Sequence, residues 1–345
     1  MGSPIATTPD SGEPAAPRGG DHAAFERLIE PHRARLHAHC YRMLGTSHDA
    51  DDALQETLLR AWRGLPGFEG RSSLRSWLYR IATNVCLRAI ERRPKRIMPV
   101  DYGPPGDPHD EPDAPLVESV WVEPYEDGAI ADGLASPEAR YEERESVELA
   151  FIAALQHLPE RQRAVLLLRD VLGFAPSEIA SALDATPPAI YSALQRAHEA
   201  VDRRLPARSQ QATLRAIPDS HLRDTVARFV EAWEASDVAA IAAMLTDDAV
   251  TAMPPRPSWY RGRDAVAAFL TNWPLADGER WRLAPASANG QIAFGVYGPE
   301  SGGDRFVPHA IFLLTLEPDA RIAELIAFLE PGAIVRFGLP RALRG

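Results

Sequence analysis

Arginine and aromatic side chains recur together between Leu74 and Arg96, and they carry the chemistry that binding to single-stranded nucleic acid requires. Aromatic rings stack on unpaired bases, and arginine neutralises phosphates. The apolar residues of this stretch recur every three or four positions, which predicts a helix with one buried face. Its polar face is predicted to carry Arg75, Tyr79, Arg80, Asn84, Arg88 and Arg92. Two simpler interpretations stay open: Trp62 and Trp77 can be core residues, and a basic helix end can complement the helix dipole.

A second amphipathic helix is predicted immediately before this one, from Asp49 to Arg63. One of its faces is apolar throughout, and Gly64, Pro66 and Gly67 end it. Asp49 suits the first turn, where negative charge is favoured. The polar face carries Asp51, Asp52, Gln55, Glu56 and Arg60. The order of the two helices suits a protein that holds a protein partner with the first and nucleic acid with the second.

Composition limits the class of protein. A chain of 345 residues predicts two or three domains, and a content of 25% charged residues is ordinary for soluble protein. The net charge of -11 argues against a general nucleic-acid coat but is compatible with a local basic patch. Cys40 and Cys86 both fall in predicted helices, so we expect free thiols and a cytoplasmic protein. Residues 1–22 are predicted to be a disordered leader and not a signal peptide, and no apolar run is long enough to span a membrane.

A metal site is a further hypothesis, because His37, His39 and Cys40 lie close together near His32. His37 and Cys40 share one helical face, but His39 points elsewhere. No second cluster with zinc-finger spacing follows. We therefore expect neither a metal nor a cofactor.

A linker is predicted from residue 97 to residue 136, a stretch that is rich in proline and glycine and contains no lysine or arginine. Its acidic residues are Asp101, Asp107, Asp110, Glu111, Asp113, Glu118, Glu123, Glu126, Asp127 and Asp132. Such a segment buries too little apolar surface to order itself alone. An apolar island at residues 116–122 could dock on another part of the chain. The segment is therefore either a plain spacer or an acidic mimic of nucleic acid.

A helix-turn-helix is predicted in the next block, residues 137–206. Two apolar stripes predict helices that end at Gly173, and Pro176 fits the first position of a third helix. Residues 184–186 form the turn, with Thr186 as the N-cap of the last helix. The residues of that helix expected to face duplex DNA are Tyr191, Ser192, Gln195 and Arg196.

The last block, residues 219–345, is predicted to be an α+β domain. Helical stripes extend from Leu222 to Leu245, and the apolar period then changes to that of strands. The predicted strands are residues 281–284, 291–297, 306–316 and 322–329. Helices followed by antiparallel strands are typical of α+β folds.

Three parts of the chain resemble known domains. The stretch DADDALQETLLRAWRGLPGFEGRSSLRSWLYRIATNVCLRAIERRPKR, which starts at Asp49, resembles region two of extracytoplasmic-function (ECF) sigma factors of bacterial RNA polymerase. The run LQHLPERQRAVLLLRDVLGFAPSEIASAL, followed by SALQRAHEAV, resembles region four of the same family. The run MPPRPSWYRGRDAVAAFL and the strands after it resemble a SnoaL-like domain. The resemblance implies all-α sigma domains at residues 23–96 and 137–206, and a cone-shaped α+β domain at residues 219–345.

The resemblance also implies a function and its partners. It implies a sigma factor that directs core RNA polymerase to promoter DNA and opens the minus-ten element, with no catalytic residue of its own. The residues expected to bind polymerase are Asp52, Gln55, Glu56 and Arg60. The residues expected to bind the unwound strand are Arg71, Ser72, Trp77, Tyr79, Asn84, Arg88 and Arg92. The linker would pass through the RNA exit path, and the C-terminal domain would regulate by packing on the linker or on region two.

The SnoaL-like fold has a concave sheet around a pocket, which leaves room for small-molecule chemistry. The expected lining residues are Met253, Trp259, Tyr260, Trp273, Phe294, His309 and Phe328. His309 could act as an acid or base with Asp248 or Asp304. The alternative is a hydrogen-bonded core histidine among core aromatics, because no spacing here defines a catalytic set.

The chain departs from the family pattern at its recognition helix. Asp184 stands where the family has glycine, and two prolines open the helix and remove N–H groups that could bind phosphate. Tyr191 and His198 stand where asparagine and arginine are commoner. Promoter recognition is therefore expected to be altered. Two rival functions stay open: a regulator that senses a small molecule in the C-terminal pocket, and an enzyme that kept the sigma scaffold.

Overall fold

The first helical unit contains the segment with the nucleic-acid pattern. The computed structural model describes residues 22–116, 120–127, 146–276, 280–300 and 305–344. The unit consists of α1 (His22–Leu44), α2 (Ser47–Gly64) and α3 (Leu74–Ile90). The predicted helix from Asp49 to Arg63 is confirmed as α2. It begins slightly earlier because the Thr46 hydroxyl caps it and accepts a hydrogen bond from the Asp49 N–H at 3.1 Å.

The second helical unit contains the predicted helix-turn-helix. A short helix α4 (Pro99–Tyr102) precedes it in the linker, and the unit consists of α5 (Leu149–Gln156), α6 (Glu160–Leu166), a π-helical turn (Leu167–Val171), α7 (Pro176–Ala182) and α8 (Pro187–Asp202). Asp184 adopts a φ of 49°, the left-handed geometry that a tight turn at this position needs. Thr186 is the N-cap residue of α8, as predicted, but its side chain makes no capping hydrogen bond. Pro188 stands at the second helical position and has no N–H to donate.

The C-terminal domain packs helices against one mixed sheet. Its helices are α9 (Gln210–Ala216), α10 (Asp219–Glu234), α11 (Val238–Met244), α12 (Arg263–Asn272) and α13 (Ala333–Arg336). Its strands are β1 (Leu245–Ala252), β2 (Trp259–Arg261), β3 (Arg282–Ala288), β4 (Gln291–Pro299), β5 (Arg305–Leu316), β6 (Ile322–Phe328) and β7 (Leu343–Arg344). The strand order is β2-β1-β6-β5-β4-β3, with β7 on β5, and β1 runs parallel to β6. The predicted α+β class is confirmed.

Strand β1, like β2 and β7, was not predicted. The helical stripe was expected to reach Leu245, whereas the helix ends at Met244 and Leu245 begins the strand. The strand contains Asp247 and Asp248, residue types that disfavour strands, and both are exposed. They lie where the register with β6 shifts between Leu245 and Val250, so an irregular strand accommodates them.

Two apolar cores meet at the two faces of this sheet. Along β5, Ile311 and Leu313 belong to the continuous core that also includes both helical units. Their neighbours Phe312 and Leu314 belong to the core beneath α10 and α12. This alternation is that of a strand with both faces covered. The sigma-like helical units and the C-terminal domain therefore share a core.

Candidate nucleic-acid interface and the domain that covers it

The exposed surface of α3 carries a basic row. Arg71 and Ser72 are exposed just before the helix, and Arg88 and Arg92 are exposed at its end. Asn84 is half-buried between them. These five predicted DNA-binding residues are therefore accessible to a ligand, wholly or in part. Their role in DNA binding stays a prediction.

Two predicted DNA-binding residues, Trp77 and Tyr79, are buried in this arrangement and not exposed on the polar face of α3 as expected. Trp77 is 8% exposed, and its ring lies 5.0 Å from that of Phe68. Tyr79 is 2% exposed and packs edge-on against His39 and Phe174. The simpler interpretation of Trp77 as a core residue is the one that the structure supports. Sequence periodicity identified one buried face of α3, but the second helical unit covers part of the opposite face.

The second helical unit contacts α3 through the chain that leads into α7. The guanidinium of Arg75 donates to the Leu172 carbonyl at 2.6 Å and lies 4.4 Å from the centre of the Phe174 ring. The Ser76 hydroxyl donates to the Glu178 carboxylate at 3.1 Å. Arg75 was expected on the polar face of α3. Here it is engaged by protein, so these contacts hide one part of the candidate nucleic-acid surface.

The recognition helix α8 presents its predicted DNA face to solvent. Tyr191 is 61% exposed, and Ser192, Gln195 and Arg196 are exposed as well. Gln195 donates to Glu199 at 3.1 Å, a contact within the helix. No described residue of another element hydrogen-bonds to these four side chains. This face of the helix-turn-helix is open, and its contact with DNA stays a prediction.

Helix α2 presents the predicted polymerase-binding residues on its outer face. Asp52 and Gln55 are exposed, and Glu56 forms an ion pair with Arg60 at 2.6 Å. Asp49 is different, because it is buried and its carboxylate binds Arg93 and Arg96 at the end of α3. A buried carboxylate held by two guanidinium groups ties α2 to the chain that follows α3.

The cavity in the C-terminal domain is small and apolar. Its volume is about 50 Å³, well below the roughly 300–1,000 Å³ of small-molecule sites. Of the seven predicted lining residues only Met253 and His309 line it. The prediction missed most of the wall, which is formed by Trp233, Thr251, Phe269, Leu270, Pro274, Trp281, Phe312, Leu325, Ala327 and Leu329. Trp233 and Trp281 stood in the predicted helix and strand, but nothing in the sequence marked them as neighbours.

His309 lies at the mouth of this cavity, against Trp281 with ring centres 4.9 Å apart. It is the one titratable residue among the described lining residues, and partial burial lowers its pKa. Asp248, one proposed partner, is exposed on β1 and does not line the cavity. Asp304, the other, lies outside the described residues. The described geometry therefore brings no carboxylate to His309.

The tryptophans predicted to line the pocket bind the linker instead. The indole N–H of Trp259 donates to the Gly103 carbonyl at 2.8 Å, and that of Trp273 donates to the Pro108 carbonyl at 3.2 Å. The Tyr260 ring lies against Gly106, where an added Cβ would come within 3.3 Å of it. Phe294 and Phe328, also predicted for the pocket, lie in the two cores. The linker is thus ordered by docking on the C-terminal domain.

Further hydrogen bonds bind the linker to the same domain. The Trp121 indole N–H donates to the Pro255 carbonyl at 2.9 Å. The Asp127 carboxylate accepts from the Ser287 hydroxyl at 2.7 Å and from the Gly290 N–H at 2.8 Å. The apolar island that was expected to dock includes Trp121, and this residue is 2% exposed. Residues 117–119 of the island lie outside the described residues.

One buried asparagine joins all parts of the chain. Asn289, in the turn between β3 and β4, is fully buried. Its amide oxygen accepts from the Tyr125 N–H of the linker at 2.8 Å. Its amide nitrogen donates to the Tyr41 hydroxyl of α1 at 2.9 Å and to the Val147 carbonyl, just before α5, at 2.7 Å. We call these four residues the Asn289 junction.

The linker also caps helix α2. The Glu123 carboxylate accepts hydrogen bonds from the Ser47 N–H at 3.0 Å and the His48 N–H at 3.4 Å, at the start of α2. A carboxylate at a helix N-terminus is stabilised by the helix dipole. Burial nevertheless raises the pKa of Glu123, and the nearby Glu330 raises it further. The linker therefore contacts the first helical unit and the C-terminal domain at once.

Comparison with known proteins identifies the three parts. The family description Sigma-70 region 2 matches residues 28–96, Sigma-70 region 4 matches residues 148–201, and SnoaL-like domain matches residues 226–325. None of the described helices is both long and apolar enough to cross a bilayer.

The whole chain also has relatives. It is 42% identical over 335 residues to the ECF RNA polymerase sigma factor SigG of Mycobacterium tuberculosis strain H37Rv, covering 96% of this chain and 87% of that protein. It is 31% identical over 186 residues to the RNA polymerase sigma-H factor of Pseudomonas aeruginosa strain PAO1, covering 54% of this chain and 88% of that protein. The crystal structure of the Mycobacterium tuberculosis ECF sigma factor SigJ shares the fold, with a TM-score of 0.58 and 22% identity over 92% of this chain and 99% of that one. The chain belongs to the ECF sigma factors of RNA polymerase and carries a C-terminal SnoaL-like domain.

Proposed function

We propose that this sigma factor binds core RNA polymerase through α2 and promoter DNA through α3 and α8, and that its SnoaL-like domain holds it closed until polymerase binds. The family membership supports the first part. The Asn289 junction carries the second part, because one side chain of the SnoaL-like domain binds both helical units and the linker.

Closure has a direct consequence for DNA binding. The contacts of Arg75 and Ser76 with the second helical unit cover part of α3. A sigma factor that uses α3 on unpaired bases and α8 on the upstream duplex must place these helices on separate stretches of DNA. The arrangement described here holds the two units together, so it disfavours promoter binding. The SnoaL-like domain is therefore proposed to inhibit.

The polymerase-binding face is not covered in the closed arrangement. Asp52 and Gln55 stay exposed on α2, so core polymerase can contact the first helical unit before the domains separate. Polymerase that binds the open form more tightly would then shift the equilibrium towards it. This order predicts weak promoter binding by the free protein and strong binding by the holoenzyme.

Charge reversal on α2 tests the polymerase contact. The double variant Asp52→Lys, Glu56→Lys should lose at least about tenfold in affinity for core polymerase, because a reversed charge meets like charge at the interface. The matched control is Asp224→Lys, Glu231→Lys on the exposed face of α10. Affinity is measured by titration of labelled protein with core enzyme, and circular dichroism confirms folding. Equal affinity of the α2 variant and the control would contradict the assignment.

A further inference from the structure

A basic cleft lies between the two helical units, away from the SnoaL-like cavity. One wall is the end of α3 and the chain after it, and the other is the corner between α5 and α6. Its volume is about 370 Å³, within the range of small-molecule sites. The described residues that line it are Leu44, Asp49, Ile90, Arg93, Pro94, Lys95, Arg96, Gln156, His157, Leu158, Pro159, Glu160 and Arg163.

The side chains that line the cleft are mainly positive, whereas the chain as a whole is negative. The whole chain has a net charge of -11. The charged side chains lining the cleft are Arg93, Lys95, Arg96 and Arg163 against Asp49 and Glu160. Asp49 forms ion pairs with both Arg93 and Arg96, which neutralise its negative charge locally. Within the described residues, Lys95 and Arg163 have no carboxylate at ion-pair distance, which leaves excess positive charge in a concave site.

Lys95 is the one lysine of the chain, and its position in the cleft is fixed. Its ammonium donates to Nδ1 of His157 at 3.0 Å. Nδ1 of His157 therefore accepts, and Nε2 carries the hydrogen that is donated to Asp101 at 3.1 Å. An ammonium group has three hydrogens, and this bond uses one of them. Lys95 is exposed, so a ligand in the cleft can reach the others.

Two of the other cations, Arg96 and Arg163, are buried and act on an anion mainly through their electrostatic field. Arg163 is 4% exposed, and its guanidinium is held by backbone carbonyls, including that of Leu158 at 3.3 Å. Partial burial lowers the pKa of Lys95, and the nearby Arg204 lowers it further. Mutually repelling cations in a cleft are stabilised when an anion binds among them. Arg93 pairs with Asp49 and lies 3.5 Å from the Asp52 carboxylate, but 37% of its side chain is exposed and can be reached by a ligand.

We propose that this cleft binds a phosphate-bearing anion of up to nucleotide size, held by Lys95 and Arg93. Ammonium and guanidinium groups are the side chains that recognise phosphate by charge-assisted hydrogen bonds. Because Lys95 lies just after α3 and His157 just after α5, the ligand would contact both helical units. The binding itself requires neither polymerase nor DNA.

Calorimetric titration of the full-length protein tests the proposal, with ADP, pyrophosphate and inorganic phosphate as separate probes. At least one probe should bind saturably, and Lys95→Ala should weaken that binding about ten- to a hundredfold, as expected for a lost charged hydrogen bond. Lys95→Arg should keep the affinity within a few-fold. The control Arg208→Ala, at an exposed arginine outside the cleft, should bind as wild type does.

The three probes distinguish the sources of phosphate. Equal affinity for ADP and pyrophosphate would assign the site to the phosphates alone, whereas tighter ADP binding would assign it to a nucleotide. A thermal melt shows whether each variant is folded, and Lys95→Gln, which removes the charge and keeps a long polar side chain, replaces Lys95→Ala if that variant does not fold. No saturable heat with any probe at millimolar concentration, or equal affinity in wild type and folded Lys95→Ala, would overturn the proposal.

Discussion

Replacement of Asn289 by glycine should open the sigma factor. The Asn289 side chain is the shared hydrogen-bond partner of Tyr41, Tyr125 and Val147. Asn289 has a φ of 53°, a left-handed conformation that glycine adopts without strain. Glycine therefore removes the side chain and preserves the turn between β3 and β4. The effect should fall on the closed arrangement and not on the SnoaL-like domain itself.

The size of the effect follows from the three lost hydrogen bonds. Each contributes about 0.5–1.5 kcal/mol net, and their partners become solvated when the domains separate. Asn289→Gly should thus shift the equilibrium between closed and open forms by about 1.5–4.5 kcal/mol. Since each 1.4 kcal/mol is tenfold, the open form should gain roughly tenfold to a thousandfold. The apparent affinity for any partner that needs the open form rises with the open fraction until that form dominates.

Open-complex formation on a cognate promoter measures this shift. Permanganate reactivity of unpaired thymines, followed against sigma concentration at fixed core polymerase, should reach half its maximum at a concentration at least about tenfold lower for Asn289→Gly than for wild type. The matched control is Ala320→Gly, because Ala320 also has a positive φ, of 64°, in a turn of the same domain but outside the junction. That variant should behave as wild type does.

Two results would refute the reasoning. Identical titration curves for wild type and Asn289→Gly, with both proteins folded in a thermal melt, would show that the junction does not restrain the domains. A higher concentration requirement for Asn289→Gly would show that the SnoaL-like domain braces the active form instead. Arg75→Ala, which breaks the contact with Leu172 and Phe174, gives an independent route to the same opening.

Three further predictions follow from buried groups. Trp77→Ala should lower the unfolding free energy by about 3–5 kcal/mol in denaturant titration. Unchanged stability together with weaker binding of single-stranded DNA would instead indicate that Trp77 contacts DNA. Trp273→Phe keeps an aromatic ring but loses the N–H bond to the Pro108 carbonyl, so docking of the linker should weaken by about 1 kcal/mol. Proteolysis of the linker should then be faster, and cleavage at the wild-type rate would contradict this. Burial, and then the charge of Arg42, lowers the pKa of His39 from 6.5 to about 3. Between those values only the unfolded chain binds the proton, so stability should fall by about 1.4 kcal/mol per pH unit below pH 6.5. His39→Gln should lose this part of the pH dependence between pH 7.0 and 5.5, and the same dependence in both proteins would contradict it.

Local pattern was enough to predict the longer helices and four of the seven described strands, but not α4, α9, α12 and α13 or strands β1, β2 and β7. Periodic apolar residues marked α2 and α3, and the turn residues between α7 and α8 marked the helix-turn-helix. Asp184, which stands where the family has glycine, adopts left-handed geometry. These features depend on residues a few positions apart, so one sequence contains the needed information.

Contacts between distant parts of the chain could not be predicted in the same way. Tyr79 occupies the polar side of α3 in the helical pattern, yet Phe174 of another unit buries it. Trp259 and Trp273 were assigned to a pocket because aromatics on such a fold suggest one, whereas their indoles bind the linker. The acidic composition of the linker predicted a segment that cannot order itself alone, but it could not predict the surface on which the segment docks.

The distance between the two helical units tests the closed arrangement most directly. Spin labels at Arg27→Cys on α1 and Asp202→Cys at the end of α8 can be attached selectively, because Cys40 and Cys86 are fully buried. Pulsed electron paramagnetic resonance on the free full-length protein should give one narrow distance population. Asn289→Gly should add a longer one, and core RNA polymerase should convert both proteins to it. A broad distribution in the free wild type that neither Asn289→Gly nor polymerase changes would contradict closure by the SnoaL-like domain.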